Sequence, residues 1–372
     1  MQFTCDKLML LAAIITSSRA TASKSPVVLL EGLLLETDED SIRISGYDLK
    51  TGIITTVPAD IEKTGAIVLN ARLFSEIIRK MPGNEISITV SANFVATIKS
   101  DMSLFEIIGS PSSDYPELPS VDGQDTFEVC EEVMKKMISQ TIFAVSDNES
   151  RPIQTGALFE TNKDILTIVA SDGYRLALRC ESINNEALPN LSFVVPGTAL
   201  NELEKIASDG KEMMSVTLGS KHILFNIGDT ILISRRLEGE FLNYKYSIPQ
   251  SSKYNLKINK NDFIASVERV SLIINDNLKS PVRCVFSDGI IKLSSASAIG
   301  KANDECEIDG YAEDIEVGFN HKYLVDALKA APAEIVMLEL NSGVNPCIIK
   351  PADEGGNFLY MVLPVRLKSY ES

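Results

Sequence analysis

The sequence predicts an α+β protein made of three tandem repeats, each a sheet with two helices on one side. Three observations carry this. A short strand running straight into an amphipathic helix occurs three times. A second strand-helix unit also occurs three times, near Gly65, Leu191 and Asp314, at intervals of 126 and 123 residues, close to a third of the 372-residue chain. Between and after these units lie alternating, β-branched runs that read as strands.

The elements follow in order. The first unit is Met1–Cys5 into Asp6–Thr16, then Thr126–Cys130 into Glu131–Gln140, then Asn255–Ile258 into Asn259–Leu272. The second is Ala66–Asn70 into Ala71–Lys80, then Ser192–Pro196 into Gly197–Ser208, then Ile315–Asn320 into His321–Ala330. Strands are expected at Ile86–Val90, Met214–Leu218 and Ile335–Leu340, each followed by a turn and a partner at Phe94–Ile98, Ile223–Ile227 and Cys347–Lys350. Asp38–Asp40, Asn162–Asp164 and Ser287–Gly289 supply turn residues at matching places. Pro-rich connectors at Pro111–Pro119 and Ile248–Ser252 divide the chain into domains 1–122, 123–249 and 250–372. Both connectors are short, so the domains are expected to pack on one another.

Composition narrows the function. The 51 acidic and 35 basic side chains give a net charge of −16. Bulk attraction to nucleic acid needs a basic surface and is not expected. An apolar content of 45 % with 23 % charged residues excludes disordered and collagenous chains. No stretch nears the ~18 apolar residues of a membrane span. Leu8–Ile15 followed by Ser18-Arg19-Ala20 has the outline of a secretory signal, but the same unit recurs twice inside the chain, so it is read as structural. Six scattered cysteines without a CxxC pair fit buried thiols in a reducing compartment.

Catalytic patterns are missing. The two histidines, His222 and His321, have no partner at metal-ligand spacing. There is no phosphate-binding GxxxxGK[ST] loop, no GxSxG elbow and no GxGxxG after a strand. Carboxylates are too common in an acidic chain to mark a site. No catalytic residue, metal or cofactor is expected. Two segments remain. Ser171-Asp172-Gly173-Tyr174-Arg175-Leu176 reads as an Asp-Gly turn entering a strand. Phe358–Leu367 is an apolar strand ending in a proline, fit either to close a core or to form half of an exposed pocket.

Those two segments resemble one family. Ser171-Asp172-Gly173-Tyr174-Arg175-Leu176-Ala177-Leu178 resembles the Thr-Asp-Gly/Ser-His-Arg-Leu-Ala motif of the bacterial DNA polymerase III beta subunit, the replicative sliding clamp. Leu363-Pro364-Val365-Arg366-Leu367 resembles that family's Met/Leu-Pro-Met/Val-Arg ending. Ala71–Ile78, Phe143–Ser146 and Arg151-Pro152-Ile153 are similar to it as well, so the likeness spans the chain in order. It implies a head-to-tail homodimeric ring around double-stranded DNA, sheets outside and helices inside, gripping without regard to sequence. The ring tethers the DNA polymerase III alpha subunit, needs an ATP-dependent clamp loader, and recruits other polymerases, ligase and mismatch-repair proteins. No membrane is involved, and the expected location is cytoplasmic, on the nucleoid during replication. A ring holds DNA by topology, so an acidic exterior with a few basic inward side chains suits it.

The resemblance also places residues. Lys24, eight positions before Gly32, and Arg72 of the Ala71-Arg72 pair match DNA contacts. Asn148, Pro152 and Ile153 occupy a polar and two loop or aromatic contact positions; without an aromatic ring no stacking platform for single strands is expected. The partner-peptide pocket matches Ser171, Gly173, Tyr174, Arg175 and Leu176, with Val344, Pro346, Val362, Leu363, Pro364, Val365 and Arg366, closed by Leu242 and Tyr246. Leu242 stands where many members have Pro, and Tyr174 where many have His. A tail at 368–372 extends past the motif and is placed to cover part of the pocket. Phe105 and Ile107 on one edge strand, with Leu272 and Ile273 at the end of a helix, match the two sides of the dimer interface. Two other readings stay open on residues alone: a peptide-binding repeat scaffold that never encircles DNA, and a hydrolase with an unrecognised carboxylate site.

Overall fold

The computed structural model describes residues 1–123, 125–183, 190–274, 280–353 and 356–367. The 368–372 tail therefore lies outside the described residues. The helices are α1 (Lys7–Ser17), α2 (Ala71–Lys80), α3 (Glu131–Ser139), α4 (Gly197–Ile206), the single turn α5 (Tyr244–Ser247), α6 (Lys260–Ser271) and α7 (His321–Ala330). All six strand-helix units expected from the sequence are present, with ends shifted by at most two residues.

Four of the six units start the same way, with the Asp or Asn that precedes the helix capping it, while Cys130 and Pro196 precede the other two helices. Asp6 accepts from the Met9 N–H, Asn70 from Leu73, Asn259 from Asn261 and Asp262, and Asn320 from Lys322. A carboxylate or amide oxygen there satisfies N–H groups that the helix leaves open. A second tie also recurs. The N–H of the first helical residue donates to a carbonyl beyond the second helix: Lys7 to Asn84 (2.8 Å), Glu131 to Glu212 (2.9 Å) and Lys260 to Glu334 (2.9 Å). Side chains repeat the link. The Lys7 and Lys260 ammoniums donate to the Met81 and Ala331 carbonyls. In the middle repeat the polarity reverses, and Glu131 accepts from the Ser208 N–H at 2.8 Å.

The chain forms two compact units, Met1–Lys135 with Glu202–Arg236, and Lys136–Asn201 with Leu237–Ser372. The first holds a five-stranded sheet, in the order Asp60–Lys63, Gln2–Asp6, Glu85–Val90, Val95–Ser100, Ser103–Ile108. It also holds an eight-stranded sheet in which Thr230–Arg235 pairs antiparallel with Thr51–Pro58. α1 and α2 pack over these sheets on a core of Phe3, Leu10, Ile14, Leu33, Leu35, Ile44, Phe74 and Ile98.

The second unit has an eight-stranded antiparallel sheet whose centre is the pairing of Arg175–Ser182 with Phe358–Val362, with Arg175 opposite Val362 and Arg179 opposite Phe358. Its four-stranded sheet runs Gly300–Glu307, Ile290–Ser297, Val282–Phe286, Ile315–Phe319. α6 lies on this smaller sheet and on α7. Phe263, Phe286, Phe319 and Tyr360 are fully buried.

Phe74 is fully buried under α2. Phe74→Ala is expected to cost about 3–5 kcal/mol of unfolding free energy, from lost transfer and the cavity left behind. Urea unfolding reads this directly, and a loss below about 1 kcal/mol would contradict the assigned core.

Candidate partner-peptide pocket

The central ladder of the second unit brings two of the candidate pocket segments together. Because Arg175 lies opposite Val362, the Ser171–Tyr174 turn meets the segment that follows the Phe358–Val362 strand. The Leu363 N–H donates to the Tyr174 carbonyl at 2.9 Å, and the Val365 N–H to the Gly318 carbonyl at 2.8 Å. Gly318 is required at that approach, since a Cβ there would lie 2.6 Å from the Val365 carbonyl oxygen.

The turn itself is an Asp-Gly device. Asp172 Oδ1 accepts from the Tyr174 and Arg175 N–H groups at 2.8 and 2.9 Å. Ser171 Oγ accepts from the Gly173 N–H and donates to the Arg175 carbonyl. Gly173 has φ +88°, a conformation that costs a side-chain-bearing residue but not glycine.

The floor is apolar. Leu176, fully buried, clusters with Leu158, Val169, Val194, Tyr244, Ile348 and Met361, and Leu363 packs against them. Tyr244 donates to Glu160 at 2.5 Å. Burial first and this carboxylate second push the phenol pKa upward, so it stays a donor. Around the floor stand exposed apolar side chains: Tyr174, Leu242, Tyr246 and Val344. Pro346, Pro364 and Val365 are half-buried, and Arg366 is exposed.

Arg175 is not a free pocket cation. Its guanidinium lies 4.6 Å from the Tyr323 ring centre and 5.4 Å from that of Phe143. Nε donates to Asp172 at 3.1 Å and Nη1 to Asp326 at 2.6 Å. Tyr323 in turn stacks on Tyr174 with ring centres 6.2 Å apart.

Val362 is fully buried, because side chains alternate along the strand and Met361 and Leu363 face the Leu176 cluster. Ile153 is half-buried and packs against the Leu158 cluster. Asn148 and Pro152 are exposed on their loop, with Asn148 Oδ1 accepting from the Ser150 N–H. Met361, Tyr323, Phe143 and Asp326 were missed. Met361 was legible from the strand's two-residue period. Arg175 and Asp326 are 151 positions apart, and no local pattern joins them.

The remaining candidates lie at edges and helix surfaces. Lys24 is exposed in the loop after α1. Arg72 has 90 % of its side chain exposed on α2, beside Glu76 at 3.3 Å. Arg79 and Lys80 extend the same exposed face. α1 does not follow the basic expectation: its only charged residue is Lys7, and its outer face is Leu8, Met9, Ala12 and Ile15. Phe105 is exposed on Ser103–Ile108, the last strand of its sheet, while Ile107 turns toward the core. Leu272, 82 % exposed, caps α6, and Ile273 follows in the turn, so neither is in the helix proper.

Comparison with known proteins accounts for this arrangement. Family models of the DNA polymerase III beta subunit match throughout: the N-terminal domain over residues 1–119, the central domain over 128–243 and the C-terminal domain over 245–366. A beta sliding clamp of Halalkalibacterium halodurans is 30 % identical, with 98 % of this chain and all of the relative aligned. One from Staphylococcus epidermidis is 31 % identical over 98 % and 99 %. The crystal structure of the DNA polymerase sliding clamp from Bacillus subtilis superposes with TM-score 0.93 at 30 % identity, over 99 % of this chain and all of that one. The beta subunit from Streptococcus pyogenes gives 0.94 at 26 %, with the same coverage. The chain belongs to the DNA polymerase III beta subunit family. Among the described residues no helix is long and apolar enough to cross a membrane, and no group of three or more His, Cys, Asp or Glu side chains is arranged to hold a metal ion.

Cys347 starts the strand behind the pocket and is buried, as are Cys5, Cys284 and Cys306. Burial pushes the thiols of Cys5 and Cys347 to about 12 and that of Cys306 to about 11, so they stay protonated and unreactive. At pH 8 an aromatic disulfide reagent is expected to modify Cys130 in the folded protein, Cys180 more slowly because burial raises its thiol as well, and the other four only after unfolding. Rapid reaction of all six without denaturant would contradict these burials.

Proposed function

We propose that this chain is a DNA sliding clamp. It acts without catalysis, as a processivity factor that closes round duplex DNA and tethers a replicative polymerase. The observation that carries the reading is the full-length match to all three beta-subunit domains, together with a pocket assembled from the two segments that resemble the family's motifs. The domains are taken as 1–122, 123–249 and 250–372. The polymerase III alpha subunit, a loader that uses ATP, other polymerases, ligase and mismatch-repair proteins are the proposed partners, in the cytoplasm. An apolar floor with a few fixed polar groups suits short apolar peptides of such partners.

Ring closure is supported by the sheet edges. Ser103–Ile108 ends its sheet and exposes Leu104, Phe105 and Ile108. An apolar edge with unpaired backbone groups invites another strand. Gly300–Glu307 ends the four-stranded sheet, with Ile299 exposed just before it and Leu272 exposed at the end of α6, which packs on that strand. Different surfaces meeting head to tail make a heterologous contact, which closes a ring when the rotation allows. On the DNA side, Lys24, Arg72, Arg79 and Lys80 offer exposed cations for phosphates in the first unit, and Asn148 and Pro152 lie on an exposed loop of the second.

The Leu272→Ala, Ile273→Ala double variant is expected to sediment as a monomer at micromolar concentration, where the parent chain is a dimer. A variant that remains dimeric would place the seam elsewhere, and a parent that is itself monomeric would favour the scaffold reading.

A further inference from the structure

The pocket's two walls meet in a polar network anchored on α7. Asp326 accepts from Arg175 Nη1 at 2.6 Å, while Arg175 Nε donates to Asp172 at 3.1 Å. The Arg175 and Asp172 side chains are each only 11 % exposed, whereas Asp326 is 43 % exposed. Asp172 fixes the turn through the Tyr174 and Arg175 N–H groups, and the Tyr174 carbonyl holds Leu363 by its N–H. One line of contacts therefore runs from α7 through Arg175 to the turn, and from the turn to the C-terminal wall. Arg175 sits between the Tyr323 and Phe143 rings with its Nε and one Nη1 N–H held by two carboxylates, so the guanidinium is fixed in place.

We propose that Asp326 is a positioning residue for peptide binding. It touches no peptide itself; it fixes Arg175, and through Arg175 and Asp172 it sets the spacing of the turn and the Leu363–Val365 segment. This rests on the pocket reading above. Removing the Asp326 charge leaves the largely buried Arg175 guanidinium with one carboxylate in place of two, and a buried charge that loses compensation is costly. Free to seek another acceptor, Arg175 releases the turn, and the competent pocket is populated less, which weakens apparent affinity by the same fraction.

The test is binding of a labelled Gln-Leu-x-Leu-Phe peptide to the full-length protein. Asp326→Asn is expected to weaken binding by about tenfold, and Asp326→Glu to restore it to within about threefold of the parent. Arg175→Gln with Asp326→Asn is expected to bind no more weakly than Arg175→Gln alone, because both act through one contact. The double variant also carries the test if Asp326→Asn alone fails to fold, since it leaves no unpaired guanidinium. Parent-like binding by Asp326→Asn, or additive losses in the double variant, would overturn the proposal. A parent that binds no peptide at all would overturn the pocket reading itself, which keeps the two failures apart.

Discussion

The pocket depends on one backbone constraint, the antiparallel ladder between Arg175–Ser182 and Phe358–Val362. It joins segments about 180 residues apart, and its register decides which side chains meet. With Arg175 opposite Val362, the Asp-Gly turn ends beside Leu363, and Leu176 and Met361 share one face. A slip of one residue between the strands would put Leu176 and Met361 on opposite faces of the sheet. The register is held by burial on both sides: Leu176, Ala177, Tyr360 and Val362 are all at or near zero exposure. Local turn chemistry then refines what the ladder sets, through Asp172, Ser171 and the positive φ of Gly173.

Charge follows the same division of labour. A chain at −16 has no use for a broadly basic surface if topology supplies retention. Its exposed cations on the first two helices gather on α2, at Arg72, Arg79 and Lys80, while α1 presents an apolar outer face. Exposed ion pairs such as Arg72 with Glu76 add little stability, so these side chains remain available to phosphates. Weak contacts at few positions permit sliding, which strong ones would oppose.

Much of this was legible in the sequence because it is written locally. The six strand-helix units show as period changes, and four of their caps as Asp or Asn at the junction. The repeat showed because corresponding helices occupy corresponding places. The pocket motifs showed because each is a short contiguous segment. The exceptions share a cause. The motif lists contiguous residues, while a strand presents every second one, so Val362 and Leu363 turn to different faces. A position in a loop likewise leaves open which way a side chain turns, and Ile153 leans on the Leu158 cluster. Asp326 and Tyr323 were invisible because their role depends on α7 packing beside a turn about 150 positions earlier.

The central claim is topological, and one measurement addresses it directly. The full-length protein is loaded on nicked circular duplex DNA with a clamp loader and ATP, then passed through gel filtration in high salt before and after the circle is cut once. The account predicts that protein travels with the intact circle and is lost from the linear form, since a ring slides off free ends. Equal retention on both, or equal loss from both, would contradict encirclement.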